Sequence, residues 1–392
     1  MAKLFIYVAF TVVLLVMPSA MADDARSLPE DPLSAARVFE KKSCVRCHQI
    51  DVRWNTYGPD LSKVPLSNNL FDIVGRMWNA APVMTTKMRD LDIEFPKTSA
   101  AELINLIAFI GVYQSYLINY GREADAKVGG RLFGQKRCAS CHSFSPEANT
   151  IGPNLQKYRG TSSPLDILKA MWLHSENMSR AGKHAGIPWP RFERGEIRDL
   201  LAFLSTGTEN DSGNNEPRYL NPGNPRSGEQ LFKTFRCDDC HAVYGVGGTA
   251  APDLGTLLAG KQLDMYLVIE SLWNHSPKMW ASFAQMKRTR PQLSTQDMAD
   301  LLAYLYFINF EPLNTDTTHG RELFNVRSCS SCHGTGSRSI PVTNREELLA
   351  GFWNNVPEML EASRQQGTEW PRLAPGELSA IIDYMLSKER GN

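Results

Sequence analysis

The sequence predicts a helical chain in which one unit is written four times. Three observations carry that prediction. All eight cysteines fall into four C-x-x-C pairs, each followed at once by histidine. Those histidines, His48, His142, His241 and His333, recur after 94, 99 and 92 residues. Each interval then closes on a stretch with apolar residues at i, i+3, i+4 and i+7, the period of a helix that buries one face. Self-similarity over such a period is the mark of a tandem architecture.

The first element stands apart from the units. "MAKLFIYVAFTVVLLVMPSAMA", residues 1–22, has Lys3, an apolar run from Leu4 to Met17, and the small-residue site Ala20-Met21-Ala22. It reads as a secretory signal peptide with a mature start near Asp23. The run is short of the ~20 apolar residues that a membrane span needs; an uncleaved N-terminal anchor is the alternative. No later segment is long and apolar enough to span. The expectation is therefore an exported, periplasmic, soluble protein with no membrane span after signal removal. Basic and acidic residues balance at 42 each, which points away from nucleic acid and from anionic membrane surfaces as partners.

An exported chain with eight cysteines would ordinarily suggest a disulfide framework, but the spacing does not fit one. The motifs are "CVRCH" (Cys44, Cys47, His48), "CASCH" (Cys138, Cys141, His142), "CDDCH" (Cys237, Cys240, His241) and "CSSCH" (Cys329, Cys332, His333). C-x-x-C-H is the attachment motif of c-type haem. Two thiols bond the haem vinyl groups while the adjacent histidine lies under the iron, so all three must sit on a single turn. Zinc modules bring a second ligand pair within about 12–20 residues, and here the next pair is far more distant. Four covalent c-type haems are the cofactors expected.

Around each motif the same elements recur. A small residue and an aromatic precede it: Ala35 and Phe39, Gly129 and Phe133, Gly228 and Phe232, Gly320 and Phe324. The closing stripes are Leu103, Leu106, Ile107, Ile110; Ile197, Leu200, Leu201, Leu204; Met298, Leu301, Leu302, Leu305; and Leu378, Ile381, Ile382, Met385. Each stripe carries an aromatic: Phe109, Phe203, Tyr304 or Tyr384. Ser99 and Glu102 form a capping box for the first closing helix. These residues build a core and perform no chemistry.

With its small-residue helix, C-x-x-C-H turn, Gly-Pro loop and closing helix, each unit resembles a mono-haem cytochrome c domain. The resemblance covers four tandem copies, from about Ser34 to Met385. It implies an all-α fold in which first and last helices cross and a haem fills the core, which suits units too small to bury much alone. The boundaries expected are 23–120, 121–206, 226–312 and 313–392, with residues 207–225 as linker inside the Gly-, Asn- and Pro-rich run 206–228. Repeats 2 and 4 share "WPRFERGEI" and "WPRLAPGEL", whereas 1 and 3 share extensions "YLINY" and "YFINF". This alternation suggests two di-haem modules, 1+2 and 3+4.

The resemblance also implies the second axial ligand. Methionine stands six residues after a recurring tryptophan: Met84 after Trp78, Met178 after Trp172, Met279 after Trp273 and Met359 after Trp353. Soft, neutral thioethers at a constant offset fit His–Met ligation, which raises the potential. Two positions after the tryptophan stand Ala80, His174, His275 and Asn355, so those histidines read as surface or loop residues. In cytochrome c domains a carbonyl beside a proline eleven residues after the haem histidine holds its Nδ1–H; the matching residues are Pro59, Pro153 and Pro252. Repeat 4 departs from this, with Asn344 at that place, Pro341 nearby, and a loop about ten residues shorter.

The function that follows is electron relay between exported redox proteins, with no catalytic residues. Two other readings stand beside it: an electron-acceptor subunit of a dehydrogenase complex, and a haem enzyme with an open site in repeat 4.

Overall fold

A computed structural model describes residues 28–32, 34–50, 57–61, 64, 69–121, 124–145, 147–148, 150–159, 164–193, 195–205, 223–258, 265–308, 310, 317–334 and 344–390. Of these, the side chains of 112–121, 164, 265 and 389–390 are not described. The expected signal peptide at 1–22, most of the expected linker at 207–225 and Pro341 lie outside the described residues. The architecture is all-α, with fifteen α-helices among the described residues and one two-residue hairpin pairing Ala242–Val243 with Val246–Gly247.

Four units repeat one plan. The opening helices are Ala35–Lys41, Ala126–Gln135, Pro225–Thr234 and Thr317–Val326, and the closing helices are Ala100–Gly121, Glu196–Ser205, Thr295–Phe307 and Glu377–Arg390. In each unit these two cross at the small residue. A Cβ on Gly129, Gly228 or Gly320 would stand 2.0 Å from the carbonyl oxygen of Asp199, Asp300 or Ala380. Only hydrogen at that position allows so close an approach. Repeat 1 has Ala35 there. Its aromatic pair Phe39–Phe109 has centroids 6.5 Å apart, against 5.6 Å for Phe133–Phe203, 5.4 Å for Phe232–Tyr304 and 5.6 Å for Phe324–Tyr384. The Ser99–Glu102 capping box forms, with Ser99 N donating to Glu102 Oε2 (3.0 Å) and Glu102 N to Ser99 Oγ (3.1 Å).

Between motif and closing helix lies a long helix carrying the recurring tryptophan: Leu70–Asp90, Pro164–His184 and Met265–Gln285. In repeat 4 it is broken into Arg345–Asn354 and Val356–Gln366. There Asn355 turns its side-chain amide back onto Gly351 O (2.9 Å), and Pro357 sits in the first turn of the new helix, where a missing N–H costs no bond.

The pairing of units corrects the expected 1+2 and 3+4: repeat 1 packs on repeat 4, and repeat 2 on repeat 3. Trp78 Nε1 donates to Pro371 O (2.8 Å), and Trp353 Nε1 returns the bond to Pro96 O (2.8 Å). Asn79 and Asn354 each clasp a strand-like segment of the other unit, at Leu373 and Thr98, by donating and accepting at once (2.7–2.8 Å). In the second pair Trp273 donates to Pro190 O (2.8 Å) and Asn274 clasps Phe192 (2.8 Å both ways). The shared "WPR" segments are thus the clasps with which repeats 2 and 4 hold repeats 3 and 1.

A proline makes room for this clasp. Pro82 and Pro277 lie inside their helices four residues after Trp78 and Trp273, so they offer no N–H to those tryptophan carbonyls. The freed acceptors take the indole N–H of the partner unit instead. Trp370 Nε1 donates to Trp78 O (3.0 Å) and Trp189 Nε1 to Trp273 O (3.3 Å), with rings stacked at 4.1 and 4.5 Å. Repeats 3 and 1 also touch. Phe310, at the end of the "YFINF" extension, offers its carbonyl to Leu70 N (2.8 Å) and so continues the start of the first tryptophan helix.

Candidate functional site

Each motif opens on a strained residue. Ser43, Arg137, Arg236 and Ser328, immediately before the first cysteine, have φ of 60, 62, 58 and 61°. A non-glycine in the left-handed region is uncommon and costs energy; here it occurs four times at one place. The chain then closes a tight turn in which the histidine N–H reaches the carbonyl of the first cysteine, at 2.9 Å for His48 and 3.0 Å for His142 and His241. That turn puts two thiols and an imidazole side by side. Cys329–His333 makes the same turn as a short α-helix.

The eight thiols are half-buried, and none is in a disulfide. Burial pushes the first thiol of each pair up, to about 11 for Cys44, Cys138 and Cys329 and about 12 for Cys237. A basic side chain two residues earlier ties three of the turns to their closing helices: Lys42 to Glu102 (3.1 Å), Lys136 to Glu196 (2.7 Å) and Arg327 to Glu377 (2.6 Å).

The imidazoles are held as the sequence suggested. Nδ1 of His48, His142 and His241 lies 3.2, 3.0 and 2.9 Å from the carbonyl oxygens of Pro59, Pro153 and Pro252. Donation from Nδ1 leaves Nε2 as the free lone pair of each ring, the tautomer a metal requires. Gly58 and Gly152 press on the imidazoles so closely that a Cβ would meet the ring at 2.6 Å. Burial lowers the proton affinity of His48, opposed by its bond to Pro59. In repeat 4, Asn344 replaces the proline and serves instead as helix cap, accepting from Glu347 N (2.8 Å).

All four sequence-predicted methionines are half-buried on the tryptophan helices. Met84 and Met359 pack against the core shared by repeats 1 and 4, and Met178 and Met279 against that of repeats 2 and 3. Where the sequence suggested surface or loop residues, His174 and His275 are half-buried inside helices. They stand opposite the motif histidines: ring centroids are 6.3 Å apart for His142–His174 and 6.1 Å for His241–His275. Burial first, then the facing histidine, lowers the proton affinity of each. Their signal in the sequence was the spacing to Met178 and Met279, since residues i and i+4 share one helix face.

These observations fit a covalently held haem: paired thiols outside any disulfide, a tautomer-fixed imidazole and an apolar surround. Comparison with known proteins agrees for one stretch. Residues 226–306 match the family model described as Cytochrome c. The chain is also similar to cytochrome c oxidase subunit 2 of Alkalihalophilus pseudofirmus, 35% identical over 92 residues, which are 20% of this chain and 27% of that protein. The chain thus spans about a quarter of the curated relative it matches. No solved structure matches. The chain contains a cytochrome c domain, which implies a c-type haem and the role of an electron carrier for that stretch. Among the described residues no helix is long and apolar enough to cross a membrane.

Proposed function

We propose that the mature chain is a tetrahaem c-type cytochrome that relays electrons between exported redox proteins. One observation carries the reading: the geometry around Cys237, Cys240 and His241, within the matched domain, recurs at the other three motifs. The left-handed residue and tight turn recur in all four. The histidine-to-proline-carbonyl bond recurs in repeats 1 and 2. The haem supplies one-electron chemistry, and the protein sets its potential, exposure and spacing. Cysteine pairs hold the group, and His48, His142, His241 and His333 ligate from one side. On the other side, Met84 and Met359 are the sulfur donors of repeats 1 and 4. In repeats 2 and 3 the helix offers two donors one turn apart, His174 or Met178 and His275 or Met279.

A second reading makes the chain an electron-accepting subunit of a larger oxidoreductase. The likeness to a stretch of an oxidase subunit favours it. An open iron in repeat 4 is the enzyme alternative, supported by the broken tryptophan helix there. Anaerobic reductive titration of the purified chain separates the relay from the enzyme alternative. The relay reading expects uptake of four one-electron equivalents, each lost singly when both cysteines of one motif become alanine, with no carbon monoxide binding. Uptake of a single equivalent contradicts it, and carbon monoxide binding at one haem supports the enzyme alternative.

A further inference from the structure

The two histidines missed by sequence reasoning answer a question the methionines leave open. We propose that His174 and His275 are the distal iron ligands of repeats 2 and 3, so that the chain carries two bis-histidine and two histidine–methionine haems. The inference rests on the tetrahaem reading above and deepens it.

Distance is the first argument. Two imidazoles bound to one metal by bonds of about 2.0–2.1 Å, with each ring centre ~1.1 Å behind its nitrogen, have centroids roughly 6.3 Å apart. The observed separations are 6.3 and 6.1 Å, with ring planes at 68 and 65°. A direct N–H···N hydrogen bond of about 2.9 Å would bring the centroids to roughly 5 Å. The rings are therefore too far apart for a hydrogen bond and correctly spaced for a shared metal. An edge-to-face aromatic contact spans about 4.5–7 Å, so distance alone does not decide.

Satisfaction is the second argument. Buried and half-buried imidazoles normally find a polar partner. Among the described residues, neither the His174 nor the His275 side chain has a hydrogen bond or an ion pair, and the one ring each faces is the motif histidine of its own unit. That motif ring has given Nδ1 to a proline carbonyl at 3.0 or 2.9 Å, so its Nε2 is free for a metal. The same relation holds in two units that are only pseudo-equivalent in sequence.

Register is the third argument. His174 and Met178, like His275 and Met279, lie one helical turn apart, a displacement of about 5–6 Å along the axis. Only one of each pair can stand on the axis of the proximal ring, and the observed distance together with the unpartnered imidazole assigns it to histidine. In repeats 1 and 4 the corresponding residues compete with nothing. Ala80 has no donor, and Asn355 has its amide on Gly351 O. Methionine is left as the ligand there.

Methionine ligation raises haem potential relative to histidine. The chain would then hold two potential classes, sorted by the pairing of units: a lower pair in the 2–3 module and a higher pair in the 1–4 module. Electrons entering at the 2–3 module would fall toward the 1–4 module.

The test uses the intact, haem-loaded chain. Haem content is measured first by pyridine haemochrome assay, then the far-red sulfur-to-iron charge-transfer band of the oxidised protein is quantified per chain. Four haems with two sulfur equivalents are expected. His174→Met should raise the sulfur count to three, and Met178→Leu should leave it at two. Four haems with three or four sulfur equivalents, or loss of band intensity in Met178→Leu, overturns the ligand assignment alone. Fewer than four haems overturns the tetrahaem reading on which it rests.

Discussion

Trp78→Ala is expected to destabilise the chain by about 3–5 kcal/mol, the cost of deleting a large buried aromatic. Trp78 is 5% exposed and stands at the centre of the 1–4 clasp. Its ring stacks on Trp370 at 4.1 Å and meets Phe352 edge-on at 5.5 Å. Its indole N–H satisfies Pro371 O (2.8 Å), an acceptor that alanine would leave without this donor. The measurement is the urea midpoint of the holo-protein with slope held as a check on compactness. Trp78→Phe retains most of the stack while losing the hydrogen bond, so about 1–2 kcal/mol is expected there. Equal small losses for both variants would show that the clasp contributes little.

Gly129→Val should be as damaging, by a different route. The valine Cβ would be placed 2.0 Å from Asp199 O and 2.7 Å from Phe203 Cβ, so the opening and closing helices of repeat 2 must separate. Overpacking of this kind costs about 1–3 kcal/mol and more when backbone must move; about 3 kcal/mol or above is expected. Gly129→Ala carries the same Cβ against Asp199 O and should cost about 2–3 kcal/mol, below valine because Ala35 shows that a crossing with one methyl group can be built, at the wider ring separation of 6.5 Å. Thermal unfolding followed at the haem absorption bands reads both. An unchanged midpoint in Gly129→Val would mean the crossing is not tight.

Much of this was legible in the sequence because it is local. The motif turns, the capping box at Ser99, the closing stripes and the proline-to-histidine bonds each depend on residues within about a dozen positions. The Gly/Phe pairs before each motif were legible too, although why glycine is needed at 129, 228 and 320 shows only where the carbonyls of 199, 300 and 380 arrive. The pairing of units was not legible. Trp78 meets Pro371 nearly three hundred positions away, and every unit carries a tryptophan that could have met any other. The usable signal was complementarity: "WPR" occurs only in repeats 2 and 4, and a proline freeing the tryptophan carbonyl within an unbroken helix occurs only in 1 and 3. His174 and His275 were misplaced because Ala80 and Asn355 stand at their offset, which hid that two units set a histidine opposite the motif ring and two do not.

If the geometry at residues 226–306 recurs as four loaded sites, intact-mass spectrometry of the chain, produced where haem attachment is supported, will count them. A mass increment of four covalent haems, falling to three when Cys44 and Cys47 are both replaced by alanine, is the result expected. An increment of one haem, unchanged by that replacement, would confine haem to the single matched domain and contradict the account.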